Sequence, residues 1–360
     1  MCPRTVGGRR AAAREAVRTL NPGSFALVMA TGIVSVGMRG HGLAALSAAL
    51  LWLAAASYAA LVAALTWRII AFPADVRRDL ADPRRAFGFF TFVAGTEVLG
   101  TRLALDGHHL VPLALLGAGL VAWIILGYVV PWSAVLGHAE RPIVAGANGT
   151  WFIWVVGSQS VAGLAAALEP VAATGRRELA LLAVFSWSVG VFLYAATGIL
   201  VAARLLLYPL RPADLTPPYW VAMGATAIIV LAGARIVQMA ETPMVDTTRG
   251  LIAGASVLFW AFGTWLIPPL VAAGWWRHVT HRMPLRFEAT WWSIVFPLGM
   301  YGVAGHYLGQ ADHLPIVAFI GDNEAWVALA AWVSVFAGML THLWRTLLTR
   351  RTRTTRGYEP

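Results

Sequence analysis

Charged residues are scarce in this sequence. They make up 12% of the 360 residues, whereas 59% are hydrophobic, and a soluble domain of this size carries roughly twice that charged fraction. The apolar residues are also grouped into blocks of about 20, long enough for a helix to cross a hydrocarbon core of about 30 Å. The composition therefore argues against soluble domains and predicts one helical bundle in lipid.

Cysteine, lysine and common catalytic motifs are nearly or wholly missing. The one cysteine, Cys2, excludes a disulfide within the chain and a thiolate metal cluster. All 27 basic residues are arginine, and no Gly-x-x-x-x-Gly-Lys-Ser/Thr segment is present to bind a nucleotide. A serine-hydrolase elbow of the Gly-x-Ser-x-Gly type is also missing. We therefore expect a protein that is not an enzyme and that binds no cofactor or metal.

The apolar residues form ten blocks, each a candidate transmembrane span. In lipid such spans must be helical or form a closed barrel, and these blocks lack the alternating polarity of barrel strands. We therefore predict an all-α membrane protein with ten transmembrane helices. The blocks cover residues 23–38, 43–68, 86–104, 110–133, 149–167, 178–205, 218–238, 251–272, 287–309 and 325–347.

The basic residues lie mainly in short loops between the blocks, as topology signals do. With both termini inside, 21 of the 27 arginines fall on the cytoplasmic side and five on the outer side. This predicts a multi-pass protein of a bacterial-type inner membrane, and the charge of +10 does not indicate nucleic-acid binding. The predicted parts are a cytoplasmic Arg-rich arm at 1–22, partly an interfacial helix, a transmembrane domain at 23–347 and a basic cytoplasmic tail at 348–360.

Glycine is distributed unevenly between odd and even blocks. The five odd blocks contain 15 glycines and the five even blocks contain 8. Glycine allows helices to approach closely and to bend. We therefore predict five helical hairpins, with the odd helices around a central pore and the even helices facing lipid. Glycine at ordinary helix contacts is the alternative.

Four segments of the chain resemble one family of membrane transporters. They are NPGSFALVMATGIVS at 21–35, the span at 89–103, NGTW at 148–151 and WWSIVFPLG at 291–299. They are similar to the tellurite-resistance/C4-dicarboxylate transporter family, which includes plant slow-type anion channels, fungal malate permeases and sulfite efflux pumps. The resemblance covers about residues 20–347. It implies five hairpins around a pseudo-fivefold axis, a pore lined by the odd helices and, often, a homotrimer of separately conducting subunits.

The resemblance also implies a gate, a phenylalanine of the ninth span that plugs the pore at mid-depth. The matching position is Phe296, which lies roughly 14–16 Å into the block. Pro297 removes a backbone donor and can bend the helix so that the ring points into a lumen. A ring that fills a narrow apolar constriction blocks water and ions. The alternative is a core phenylalanine beside a proline kink.

Glu97 is the acidic residue expected at mid-depth in the third block. A carboxylate there is costly, so the group must be protonated, paired or in water. A proton-coupling group beside the pore is one interpretation. A protonated side chain hydrogen-bonded to a neighbouring helix is the other.

Two arginines, Arg102 and Arg235, lie roughly 24–27 Å along odd helices, near the predicted outer interface. Together they could form a positive mouth that concentrates anions. Each could instead be an arginine at a helix end whose head reaches the interface. Together with the candidate gate Phe296, the two arginines predict transmembrane transport of small anions. The candidates are malate-type dicarboxylates, sulfite, chloride, nitrate and tellurite.

A group of histidines on the predicted outer side suggests a second function. An intramembrane redox protein could bind metal or haem there, although the spacing matches no metal motif and loop histidines in solvent are the simpler interpretation. The residues are His108, His109, His306, Asp312 and His313. The expected partners of the chain are therefore a small anion, the lipid bilayer and further copies of itself.

Overall fold

The computed structural model describes residues 4–136, 142–240 and 242–355, and their side chains within 11–133, 136, 142–240 and 242–345. Cys2, Arg141 and the predicted tail beyond residue 355 lie outside these ranges. In the part described, the backbone forms helices, turns and loops, with no β-strand. The predicted all-α class is confirmed.

Twelve α-helices account for most of the described chain. The longest, α12, continues beyond residue 347, where the sequence placed the end of the transmembrane domain. The helices are α1 (Arg4–Arg18), α2 (Ala26–Gly40), α3 (Ala44–Ala71), α4 (Pro73–Ala81), α5 (Phe90–Ala104), α6 (Leu110–Leu136), α7 (Phe152–Leu168), α8 (Arg176–Leu207), α9 (Val221–Val237), α10 (Pro243–Trp275), α11 (Trp292–Ala311) and α12 (Pro315–Thr355).

Eight helical segments are long and apolar enough to cross a membrane. They coincide with eight of the ten predicted blocks, and the two blocks that form α5 and α11 are not among them. The helix α5 carries Glu97 and Arg102, and α11 carries His306 and Gln310, so both are less apolar than their neighbours. Most residues of both helices are buried, and a helix enclosed by other helices needs no apolar surface toward lipid.

Five helices, which we call the inner helices, contact one another in a closed order. The helix α2 contacts α5, α5 contacts α7, α7 contacts α9, α9 contacts α11, and α11 contacts α2. Each inner helix also packs against a longer helix that follows it in the chain, and we call α3, α6, α8, α10 and α12 the outer helices. The inner helices are mostly buried. The core of the molecule therefore lies where they meet.

The outer helices expose large apolar side chains over their outward faces. An exposed apolar surface of this extent would promote association in water, whereas hydrocarbon accepts it without cost. The surface is therefore the one expected of a helical bundle surrounded by lipid. Examples are Trp52, Phe192, Leu258, Trp265 and Phe319.

A 3-10 turn begins each inner segment. In the first, the Asn21 Oδ1 accepts a hydrogen bond from the Gly23 backbone N–H at 2.8 Å. In the third, the Asn148 Oδ1 accepts one from the Thr150 backbone N–H at 2.8 Å. These side chains satisfy donors that a helix start leaves free. The turns are Pro22–Phe25, Ala86–Phe89, Gly149–Trp151, Pro217–Trp220 and Ala289–Trp291.

The N-terminal helix α1 is anchored to the end of α3 and to α4. The Arg18 Nε lies 3.0 Å from the Asp75 Oδ2. The buried Arg68 pairs with Asp79 at 2.6 Å and donates to the Arg18 backbone carbonyl at 3.0 Å. The arm predicted from the arginines therefore contains a helix with fixed contacts to the bundle.

Candidate functional site

The starts of the five inner segments surround a cavity of about 450 Å³, which we call the vestibule. One residue from each segment shows its position: Gly23, Gly88, Thr150, Tyr219 and Ser293 all line it. Each helix start carries backbone N–H groups and a partial positive charge. Five such starts around one space make it favourable for anions.

The vestibule also carries a positive excess of side chains. Four arginines and one acid, Asp214, are among its lining residues. Two of the arginines have acidic partners, because Arg85 pairs with Asp79 at 2.8 Å and Arg204 with Asp214 at 3.4 Å. The guanidinium groups of the other two, Arg84 and Arg211, make no hydrogen bond or ion pair with the described part of the chain.

A second, much smaller space lies further along the same five helices, and we call it the central cavity. It measures about 20 Å³, and a single buried water needs about 10–15 Å³ on this measure. Every inner helix contributes to its lining, through Ile33, Val98, Ser160, Ile228 and Met300 among others. The passage is therefore nearly closed at this level.

Phe296 lies between the two cavities along α11. Ser293, one turn earlier, lines the vestibule, and Met300, one turn later, lines the central cavity. At about 1.5 Å per residue, Phe296 is roughly 5 Å beyond the first and 6 Å short of the second. Only 1% of its surface is exposed. The candidate gate therefore lies between the α11 residues that line the vestibule and the central cavity.

Pro297 brings α9 and α11 close together at the same level. A Cβ atom built on Gly224 would lie 2.8 Å from the Pro297 Cγ, a separation that real side chains do not adopt. Glycine at 224 therefore allows the proline ring to pack directly on α9. The close approach of α9 to α11 therefore lies directly beside Phe296 in the chain.

Arg235 is the arginine among the residues that line the central cavity. It is 7% exposed. Its Nη1 donates to the Gly163 backbone carbonyl at 3.4 Å, and its guanidinium carbon lies 4.9 Å from the centre of the Tyr307 ring. Its Nη2 has no hydrogen-bond partner, and no acid within the described side chains pairs with it. A buried cation without a counter-charge is costly, so the site favours an anion.

Arg102 is buried elsewhere and is not among the residues that line the central cavity. It forms an ion pair with Asp106 at 2.7 Å. It also donates to the hydroxyl oxygens of Ser35 and Ser47, each at 2.9 Å. The residue therefore links α5 to α2 and α3. Of the two arginines predicted to share a mouth, Arg235 lines the central cavity and Arg102 does not. Asp106 also pairs with Arg39 at 2.7 Å, so two arginines share this acid.

Glu97 is directed toward the outer helix α6. A Cβ atom built on Gly119 would lie 1.9 Å from the Glu97 Oε1, so the carboxyl fills the space that this glycine leaves. Neither carboxyl oxygen has a hydrogen-bond partner within the described side chains. Glu97 is not one of the residues that line the central cavity.

A third space, the distal pocket, measures about 230 Å³ and lies at the opposite ends of α2, α5 and α11. Arg39, His41 and Tyr307 are among its lining residues, as are His306 and Asp322. The His306 Nδ1 lies 2.7 Å from the Asp322 Oδ1. No three His, Cys, Asp or Glu side chains of the described chain are grouped so that they could hold a metal ion.

The sequence matches the profile of the voltage-dependent anion channel family (SLAC1) over residues 19–340. The chain belongs to this family. The predicted resemblance to the tellurite-resistance/C4-dicarboxylate transporters is thereby confirmed.

Relatives of this anion channel family member are known in bacteria and archaea. An uncharacterized membrane protein of Mycobacterium tuberculosis (strain H37Rv) is 71% identical over 156 residues, which are 43% of this chain and 79% of the relative. An uncharacterized transporter of Methanocaldococcus jannaschii is 23% identical over 325 residues, 88% of this chain and 92% of the relative. A second transporter of that archaeon is 27% identical over 149 residues, 41% of this chain and 42% of the relative.

Two features of this anion channel family member were missed from the sequence. The vestibule arginines were interpreted only as topology signals, although Arg84 and Arg85 directly precede the turn at Ala86–Phe89 that begins an inner segment. The contact of Tyr307 with Arg235 joins α11 to α9. No pattern within either helix indicates it.

Proposed function

We propose that this protein transports small anions across the membrane through a pore between the five inner helices. The observation that carries the proposal is the succession of vestibule, Phe296 and central cavity along these helices, with the unpaired cation Arg235 at the far end. Membership of an anion channel family supports it, as do the names of two relatives as transporters.

The proposed pore is built from ten membrane-crossing helices arranged as five hairpins. Each hairpin pairs an inner helix with the outer helix that follows it. The closed order of contacts between the inner helices supports this arrangement. Although α5 and α11 are less apolar than a single lipid-facing span, the outer helices shield them.

Phe296 is the proposed gate. A buried aromatic ring between two helix backbones leaves no path for water or a hydrated ion, and a change of its rotamer opens one. Pro297 supports this role because it fixes the approach of α9 to α11 beside the ring. The gate opens toward the vestibule on one side and the central cavity on the other.

Arg235 is the proposed anion-attracting residue inside the pore, and the vestibule arginines raise the local concentration of anions. Arg102 supports the helices around the pore, since it pairs with Asp106 and donates to the hydroxyl groups of Ser35 and Ser47. One buried cation matches one negative charge, and the central cavity is small. Chloride, nitrate and hydrogen sulfite therefore fit better than malate or another dicarboxylate, whose second charge would stay uncompensated.

A proton-coupled carrier is the second candidate, and the unpartnered carboxyl of Glu97 is the observation that favours it. The position of that carboxyl between α5 and α6, away from the lining of the central cavity, favours a channel. We therefore propose the channel. A metal- or haem-dependent redox function has no grouping of described side chains to support it.

We further propose that the protein lies in the inner membrane with both termini in the cytoplasm, as the arginine distribution predicts. The vestibule is then the cytoplasmic opening. A homotrimer in which each subunit has its own pore is the assembly we expect, with lipid around it and no nucleic-acid partner.

Anion flux into proteoliposomes tests the function. Three proteins are reconstituted separately into vesicles: wild type, Phe296→Ala and the control Phe192→Ala, which removes an exposed ring of α8. Each preparation is given chloride, nitrate, sulfite or malate. We expect slow flux through wild type and Phe192→Ala, and flux through Phe296→Ala raised by roughly tenfold or more, since an opened constriction removes a barrier of over about 1.4 kcal/mol. No flux of any anion through Phe296→Ala would overturn the proposal.

A further inference from the structure

Ser160 lines the central cavity with an unused hydroxyl group. It is 4% exposed, and its Oγ has no hydrogen-bond partner within the described chain. Two other buried helical serines donate to the carbonyl one turn earlier, Ser186 to Leu182 at 2.6 Å and Ser256 to Ile252 at 2.8 Å, and Ser158 donates to the Ser186 carbonyl at 2.8 Å. Ser160 is therefore a buried donor that the helix itself leaves free, which is costly without a ligand.

Ser160 and Arg235 lie at the same cavity. Arg235 donates through Nη1 to the carbonyl of Gly163, and Gly163 follows Ser160 by three positions on α7, hence on the same helix face. All three residues line the central cavity. Two buried donor groups, the Arg235 Nη2 and the Ser160 hydroxyl, thus lack partners at one small cavity.

Tyr307 lies at the boundary between the central cavity and the distal pocket. Its ring is 4.9 Å from the guanidinium carbon of Arg235. Arg235 lines the central cavity, whereas Tyr307 lines the distal pocket, and Val36 contributes to both. The contact between the cation and the ring therefore separates the two spaces.

We propose that Arg235 and Ser160 form a binding site for one dehydrated monovalent anion, and that Tyr307 closes the exit from this site toward the distal pocket. The inference rests on the proposed function and adds a second constriction beyond Phe296. The ligand accepts from the Arg235 Nη2 and from the Ser160 hydroxyl. Its single charge replaces the acid that Arg235 lacks.

The same contact couples binding to release. A cation attracts an aromatic face through its charge. An anion bound to Arg235 neutralises that charge and weakens the attraction for the Tyr307 ring. The ring then rotates away, and the anion leaves into the distal pocket. The empty site draws the ring back.

Flux through a parent protein with Phe296→Ala separates this inference from the proposed function. In that parent, Arg235→Gln should raise the half-saturating chloride concentration roughly tenfold or more, and Ser160→Ala roughly threefold or more, as expected for lost hydrogen bonds to an ion. Tyr307→Ala should raise maximal flux by about 5–30-fold, the effect of removing a desolvated cation–π contact. Tyr307→Phe restores the ring and should restore the restriction.

Two matched controls lie away from the pathway. Tyr128→Ala removes an exposed ring of α6, and Arg177→Gln removes an exposed arginine at the start of α8. Neither should change saturation or maximal flux in the parent. If the two control substitutions change the flux as much as the substitutions at Arg235, Ser160 and Tyr307 do, the changes reflect altered folding or altered contact with lipid. That result would overturn the inference.

Crystals grown in sodium iodide give a readout that needs no transport. We expect an anomalous peak beside the Arg235 Nη2 in wild type and in Phe296→Ala, and its loss in Arg235→Gln. In one outcome the parent conducts, the substitutions at Arg235, Ser160 and Tyr307 change neither the half-saturating concentration nor the maximal flux, and no anomalous peak is present. That result overturns the binding site and leaves the transport function standing. If the parent does not conduct, the transport function fails. The peak alone then decides whether the site exists, including where a variant fails to fold.

Discussion

Two buried arginines of the inner helices lie in opposite electrostatic surroundings. Arg102, at the junction of α2, α3 and α5, has an acid at 2.7 Å and two serine hydroxyls at 2.9 Å. Arg235, between α7 and α9, has one long bond to a carbonyl and an aromatic ring. The first region contains an acid, Asp106, which Arg102 shares with Arg39, whereas no acid of the described side chains pairs with Arg235.

The difference separates a cation held in an ion pair from the one that we propose binds a mobile anion. A buried ion pair is complete without a ligand, and breaking it leaves a buried charge. A buried cation without an acid destabilises the empty protein and gains most when a mobile anion arrives. Depth and residue type are the same for both arginines, so their partners decide their roles.

The largest expected effect is the loss of stability in Arg102→Gln. The change removes the bonds to Ser35 and Ser47, whereas Asp106 keeps its ion pair with Arg39 at 2.7 Å. We expect the free energy of unfolding to fall by about 3 kcal/mol from the lost hydrogen bonds of a buried charged group, measured by denaturant titration in detergent with far-ultraviolet circular dichroism. Arg235→Gln is the matched comparison and should cost less than about 1 kcal/mol, because it removes an uncompensated charge. Equal losses in both would contradict the distinction.

The next largest effect should come from giving the second region the acid it lacks. Ser160→Asp places a fixed carboxylate at the central cavity, where it pairs with Arg235 and repels anions. In the Phe296→Ala parent we expect chloride flux to fall roughly tenfold or more. Ser160→Asn is the neutral control of the same shape and should retain more flux. If the two variants conduct equally, the charge balance at Arg235 does not govern the pathway.

Glu97→Gln tests a buried acid that forms an ion pair with neither Arg102 nor Arg235. Its carboxyl lies against Gly119, away from the lining of the central cavity. We therefore expect anion flux to stay within about twofold of wild type, with and without a pH gradient, since a twofold change is only about 0.4 kcal/mol. Loss of uptake driven by a proton gradient, with other flux intact, would instead identify Glu97 as a proton-coupling group.

The smallest effect is expected at an exposed ion pair. A hydrogen bond from Arg18 holds the pKa of the Asp75 carboxyl below its usual value. Because the folded pKa is lowered, the stabilisation is present above the unfolded pKa of about 3.9 and is lost as pH falls through the folded pKa. Asp75→Asn should leave overall stability nearly unchanged at neutral pH. A spin label on α1 should become mobile in that variant, and in wild type only in strong acid.

Much of the fold could be predicted from the sequence, because long apolar blocks have few possible structures in lipid. The blocks coincide with the helices α2, α3 and α5 to α12. The glycine-rich blocks became the buried helices, as close packing requires. The lower apolarity of α5 and α11 was also visible in Glu97, Arg102, His306 and Gln310. What those two helices pack against was not visible, since it depends on contacts between distant segments.

The positions of the candidate site residues could be predicted from the sequence, but their contact partners could not. Phe296 was assigned from the resemblance to the family, and Arg102 and Arg235 were assigned from their depth in the odd blocks. Asp106 follows Arg102 by four positions, a spacing that brings helical side chains together, so that pair could have been predicted. The contact of Arg235 with Tyr307 joins residues 72 positions apart and has no local signature. Because the sequence carries no sign of this contact, Arg102 and Arg235 are indistinguishable there in depth and residue type.

In the pore that we propose, the position of the vestibule determines where the transmembrane voltage acts. A water-filled cavity conducts, so little potential falls across the vestibule, and the narrow stretch from Ser293 through Phe296 to Tyr307 sustains most of the difference. That stretch is about 21 Å long, roughly two thirds of a hydrocarbon core of about 30 Å. The local field is then about one and a half times that of an unperturbed bilayer. An anion that crosses this short distance gains almost the whole of about 2.3 kcal/mol per 100 mV.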